Sequence, residues 1–158
     1  MIHHIDEAQV RDHLPMALAL DAVERALRAR SAGRAHDFPR HPMRFPEGSL
    51  RVLAASAQDL GLVAYKATFA TGAASGRGYL SLIDTRTGEL RAIVESVFLS
   101  RTRTGAASGV ATRALARTDA ATLGLIGSRQ TVRRRSSWIM TVFVSALKVA
   151  EFIASARR

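Results

Sequence analysis

Hydrophobic and polar positions change their period several times along this 158-residue chain, and each change marks an element. Residues 6–33 read as helical. Asp6 is placed to cap a short turn that carries Glu7 and Gln9. From Met16 to Leu27 the pattern then sets Leu20, Val23 and Leu27 at i, i+3 and i+7, an amphipathic stripe. Gly33 stops this helix, as a glycine just past a C-terminus does. Between His36 and Gly48, Pro39, Pro42 and Pro46 forbid a helix and favour extended or edge-strand structure.

From Leu50 the period becomes two. Leu50–Ala54 and Leu60–Phe69 read as strands, followed by a loop holding Gly72, Gly76 and Gly78. Tyr79–Ile83 and Leu90–Val94 then flank Asp84-Thr85-Arg86-Thr87-Gly88-Glu89, two β runs joined by a glycine-bearing hairpin turn. Ser96 is placed to cap a helix running to about Arg117, with Gly105, Ser108, Gly109 and Thr112 as a small-residue face for close packing. Residues 121–128 form a short apolar strand ending in glycine, the opening of a dinucleotide-binding βαβ unit. The expected class is α+β: a mostly antiparallel sheet with flanking helices over residues 1–120, then an incomplete Rossmann-like segment over 121–158.

Composition narrows the partners. The longest apolar candidate, Trp138–Leu147, spans 10 residues and is too short to cross a membrane. The N-terminus lacks the basic and apolar regions of a secretory signal. Cysteine is absent, which excludes disulfides, thiolate zinc sites and cysteine nucleophiles and fits a cytoplasmic protein; no metal site is expected. The net charge of +10 raises the question of nucleic acid, and its distribution answers it. Residues 1–128 hold 16 Lys/Arg against 12 Asp/Glu, interspersed as on an ordinary solvated surface, whereas residues 129–158 hold 7 against 1. That basic tail offers only Trp138 and two phenylalanines for stacking, which argues against a nucleic-acid face.

Three basic residues could carry chemistry. Lys66 is surrounded by Leu62, Val63, Ala64, Tyr65, Ala67, Thr68 and Phe69, and an ammonium in such a strand needs an anionic partner or an exit to water. A snorkelling or edge-strand lysine is the competing reading. Arg103, near a helix start, reads equally as a surface or packing arginine, and Arg40 lies in the proline-rich stretch. Converging from separate elements, such residues would suit a carboxylate, arginine as a bidentate fork and lysine as a compact charge.

The segments Leu60-Gly61-Leu62-Val63-Ala64-Tyr65-Lys66, Leu82 to Leu90, Arg103-Thr104-Gly105-Ala106-Ala107-Ser108-Gly109-Val110-Ala111-Thr112-Arg113 and Thr122 to Ser128 occur in an order that resembles the ornithine cyclodeaminase/mu-crystallin family. The likeness covers roughly residues 5–128, and the helix beginning at Arg103 is its most specific part. The resemblance implies NAD(P)-dependent chemistry on amino acids or cyclic imines, of oxidoreductase or lyase type: ornithine cyclodeamination, alanine dehydrogenation or ketimine reduction. It implies that Arg40 (with Arg44 competing) and Arg103 bind the substrate carboxylate and that Lys66 sits in the active site as the catalytic lysine. Tyr79 is a weaker candidate for lining the pocket. It implies a homodimer formed through the N-terminal sheet, with a small amino-acid or imino-acid substrate.

The same resemblance places cofactor contacts at Gly124, Gly127, Ser128 and Gln130. Here the chain departs from the family pattern Gly-x-Gly-x-x-Ala: Gly127-Ser128-Arg129-Gln130-Thr131 lacks the second glycine and carries Thr for Ala. An arginine stands where bare backbone should meet phosphate. Thr141–Ser145 and Lys148–Ala154 resemble the second nucleotide-domain strand and its helix. The stretch before them is short for a crossover, which needs a dozen or more residues. The later catalytic aspartate of the family has no counterpart. The expectation is therefore a truncated, inactive form; the alternatives are a non-catalytic dimeric module binding an amino-acid carboxylate and a basic nucleic-acid-binding protein.

Overall fold

The fold is taken from a computed structural model, which describes residues 1–38, 41–71 and 76–122. The elements run β1 (His3–Ile5), α1 (Glu7–His13), α2 (Met16–Ser31), β2 (Ala35–Asp37), β3 (His41–Phe45), β4 (Gly48–Ala57), a 3-10 turn (Gln58–Leu60), β5 (Leu62–Thr71), β6 (Gly78–Asp84), β7 (Leu90–Glu95) and α3 (Val97–Leu115). Arg40, Gly72 and everything from Leu123 onward lie outside the described residues. So do the expected cofactor contacts Gly124, Gly127, Ser128 and Gln130, and the strand and helix expected over 141–154.

The described strands form one mixed sheet in the order β1-β7-β6-β5-β4-β2, with β3 also paired to β4. All pairings are antiparallel except β1 with β7. This is the α+β architecture that the alternating patterns predict. The proline-rich stretch supplies the edge strands β2 and β3, where the missing N–H of Pro42 costs least. Strand β5 begins two residues later than the apolar run suggests. Gly61 adopts φ +61°, a left-handed conformation that ends the 3-10 turn before the strand starts.

The β6–β7 hairpin forms as its turn residues require. Asp84 accepts hydrogen bonds from the backbone N–H groups of Arg86 and Thr87. The first of these chiefly holds its carboxyl below the ordinary aspartate range. Gly88, at φ +71°, donates its N–H to the carbonyl of Asp84.

Alternation decides which face of the sheet is core. Leu53, Ala55 and Ala57 on β4, Leu62 and Ala64 on β5, Leu80 and Leu82 on β6, and Ala92 and Val94 on β7 are all buried. Cross-strand pairing puts them on one face. The core cluster joins all of these but Leu62 to Val10, Val23, Leu99, Ala106 and Val110 of the helices.

The helix pair departs from the expected stripe. Val23 is buried, but Leu27 is 41% exposed, and the buried face of α2 is Ala19, Ala22, Val23, Ala26 and Ala29. These residues enter the core cluster, while α2 meets the small-residue face of α3 through Met16 and Leu20. A Cβ on Gly109 would stand 2.8 Å from Leu20 Cδ2, and one on Gly105 would stand 3.5 Å from Met16 Cε. Met16 pairs with Gly105, Leu20 with Gly109, and Glu24 with Arg113 through an ion pair, so the helices run parallel along matched i, i+4 rows. The hydrogen bond from Arg28, followed by the Arg113 charge, keeps the Glu24 carboxyl below its usual range.

The helix caps divide between expectation and correction. Asp6 and Gln9 form a reciprocal capping box on α1, as the pattern suggests. Ser96 occupies the N-cap of α3, but its side chain makes no cap hydrogen bond. Glu7 caps that helix instead, accepting from the N–H of Val97 at 2.5 Å and of Phe98 at 2.8 Å. Its own N–H is held by Glu95. A carboxylate on the first amides of a helix answers both its open donors and its dipole. The side chain arrives from 90 residues away, which no local pattern can report.

Candidate active site

Strand β5 carries Leu62, Ala64 and Lys66 on its core face, so the alternation that buries two aliphatic residues buries a lysine with them. Lys66 is 6% exposed and stands in register between Leu53 of β4 and Leu80 of β6. It is therefore a lysine of a central strand, which removes the edge-strand reading.

Its stem crosses Gly78 on β6. A Cβ there would lie 3.5 Å from Lys66 Cε and 2.7 Å from Ser96 Oγ, so only a glycine leaves both in place. Lys66 Nζ donates to Ser100 Oγ on the first turn of α3, and Ser100 Oγ donates to the carbonyl oxygen of Ser96. The N–H of Ser96 in turn donates to the Gly78 carbonyl at 2.8 Å, tying the start of α3 to the start of β6.

Arg103 lies three residues beyond Ser100, on the buried stripe of α3 with Leu99, Thr102, Ala106 and Val110. It is 7% exposed, which sets aside the surface-arginine reading. Residues three apart on a helix are side-by-side neighbours, so the Lys66 amine meets α3 within one turn of the Arg103 position. The buried charged side chains among the described residues are these two cations.

The structure adds one residue that the sequence reading missed. Arg51 of β4 pairs with Thr68, which puts it on the same sheet face as Lys66 and diagonally next to it. Such diagonal neighbours are separated by about 7–8 Å. The signal was available in the alternation Arg51, Leu53, Ala55, Ala57, which marks Arg51 as facing the core.

Tyr79 is not brought to this place. It pairs with Ala67 and Glu95, so alternation turns it to the opposite face of the sheet, away from Lys66. The competing Arg44 sits exposed on β3. No group of three or more His, Asp or Glu residues that could hold a metal ion occurs among the described residues. No helix there is long and apolar enough to cross a membrane.

A family model described as ornithine cyclodeaminase/mu-crystallin matches residues 3–151. The chain belongs to this family. Among curated relatives it is similar to a Delta(1)-pyrroline-2-carboxylate reductase of Bacillus cereus, 51% identical over 51 residues. That match takes in 32% of this chain and 16% of the relative. Among solved structures it resembles an archaeal alanine dehydrogenase dimer with bound NAD, at 27% identity and a TM-score of 0.69. The match covers 75% of this chain and 38% of that one. It also resembles the Delta(1)-pyrroline-2-carboxylate reductase of Thermococcus litoralis in complex with NADH and L-proline, at 28% identity and a TM-score of 0.69. There the coverage is 75% of this chain and 39% of that one. The chain thus spans well under half the length of the family members it matches.

Proposed function

We propose that residues 1–120 are the substrate-binding and dimerisation domain of an NAD(P)-dependent enzyme acting on an amino acid or cyclic imine, and that Lys66 and Arg103 hold the substrate carboxylate. The observation that carries this reading is the burial of the two cations, from separate elements, within one helical turn of each other. A carboxylate is the complementary charge, and its two oxygens match a guanidinium fork beside a compact ammonium. Arg51 and Arg40 are further cations for the same anion, Arg51 by its place on the Lys66 face. The solved relatives bound to NAD, and to NADH with L-proline, support the chemical class.

The described residues do not themselves fit a dinucleotide. The first amides of α3 are already taken by the Glu7 carboxylate. The surrounding sheet lacks the strand, glycine turn and helix that aim backbone amides at a pyrophosphate. The family resemblance assigns contacts to NAD(P) to Gly124, Gly127, Ser128 and Gln130, which lie outside the described residues. Titration calorimetry with L-proline, L-alanine and L-ornithine tests the reading. Saturable binding of one of them, lost in Lys66→Met, is expected; no binding of any at millimolar concentration overturns it. Oxidation of NADH with a cyclic imine substrate would separate an enzyme from a module that binds without turnover.

We also propose a homodimer through the sheet face opposite the helices. Met43, Tyr65 and Phe69 lie on that face by register, and Met43 is 63% exposed. Contiguous apolar surface of this kind marks an interaction site. Sedimentation velocity is expected to show a dimer that Tyr65→Glu converts to a folded monomer. A monomeric wild type would remove the proposal.

A further inference from the structure

The Lys66 ammonium is the end of a side chain with four rotatable bonds. Burying its stem does not aim its three N–H donors. The hydroxyl of Ser100 does.

The polarity of this contact has one solution. Ser100 has a single proton, and that proton is engaged by the carbonyl of Ser96 one helical turn back, an acceptor only. Ser100 Oγ therefore presents lone pairs to Lys66, and an ammonium can only donate to them. Ser96 is itself fully buried, and its N–H is fixed on the Gly78 carbonyl, so the acceptor at the far end of the chain does not drift. Gly78 completes the arrangement from below by leaving room for the lysine stem. With one N–H directed at Ser100, the other two take set directions by tetrahedral geometry.

We infer that Ser100 is a positioning residue: its hydroxyl, locked as an acceptor by the Ser96 carbonyl, aims the Lys66 ammonium at the substrate carboxylate. The inference deepens the carboxylate-binding reading and rests on it for the identity of the ligand, while the Ser100–Lys66 contact stands on its own geometry.

The chain contains two lysines, Lys66 and Lys148, so selective 15N-lysine labelling gives an NMR spectrum of side-chain ammonium groups with two signals. Lys148→Arg assigns them. In the full chain, Lys66 is expected to show an exchange-protected ammonium signal that shifts on addition of L-proline. Ser100→Ala is expected to speed its proton exchange and to weaken L-proline binding, each by roughly tenfold or more, the scale of losing a hydrogen bond to a charged group. Ser100→Thr, which keeps the hydroxyl and its bond to the preceding turn, restores both. Ser100→Cys, with a weak sulfur acceptor in a similar volume, behaves like alanine and serves if Ser100→Ala does not fold.

Unchanged Lys66 exchange in Ser100→Ala, or failure of Ser100→Thr to restore it, overturns the inference. Faster exchange in Ser100→Ala, combined with a wild type that binds no L-proline, L-alanine or L-ornithine, supports the Ser100–Lys66 assignment and sinks the substrate reading instead.

Discussion

Replacing Arg103 with alanine is expected to weaken binding of a carboxylate ligand by roughly 10- to 100-fold, the equivalent of about 1.5–3 kcal/mol for a hydrogen bond to a charged group. Arg101→Ala, two residues away on the same helix, is expected to leave the affinity within about twofold, as a surface substitution typically does. The contrast follows from the helix. Arg103 falls on the buried stripe with Leu99 and Ala106, whereas Arg101 is exposed. Arg103→Lys separates charge from shape: it keeps the cation but loses the fork, so its affinity should fall between wild type and alanine. L-proline calorimetry reads all three variants. Equal losses for Arg101→Ala and Arg103→Ala would remove Arg103 from the site. Full affinity in Arg103→Lys would show that charge alone suffices.

The second large effect is on stability. Leu80 is fully buried and stands in register between Lys66 on β5 and Val94 on β7. Leu80→Ala is expected to lower unfolding stability by about 2–5 kcal/mol, the sum of lost transfer free energy and the cavity left behind. Leu115→Ala, at a leucine 83% exposed near the end of α3, should stay within about 0.5 kcal/mol. Urea unfolding followed by circular dichroism measures both. The position of Leu80 adds a consequence at the site, because the same side chain walls the Lys66 stem. In Leu80→Ala that remains folded, L-proline affinity should fall too, while in Leu115→Ala it should not. A loss below about 1 kcal/mol for Leu80→Ala would mean that this column is not the core.

The two buried cations sit where β5 meets α3. Several ties between elements meet near this point. Ser96 joins α3 to β6, Glu7 joins α1 to α3, and Glu95 joins β7 to α1. Ties of this kind between different elements hold the elements that carry the two cations in one geometry.

Sequence alone determined the local elements and named the candidate cations. The two-residue period from Leu50 onward placed strands, the Asp84–Glu89 run placed the hairpin, and Asp6 with Gln9 placed a cap. These depend on neighbours close in the chain, so a one-dimensional pattern holds them. The ordered motifs also singled out Lys66 and Arg103 and pointed to the family. Tertiary structure decided what those residues meet. Lys66 could have lain on an edge, and pairing with both β4 and β6 made it central. Tyr79 is only one position from Leu80, yet alternation sends it to the other face, while Arg51, unremarkable in sequence, shares the face of Lys66. On α2 the alanines Ala19, Ala22, Ala26 and Ala29 enter the core, while Met16 and Leu20 lie over Gly105 and Gly109 of α3, an arrangement that the placement of α3 decides. Ser96 gave up its expected cap to Glu7, and Ser100 gained the lysine, for the same reason: contacts across 90 and 34 residues exist only once the sheet has brought their ends together.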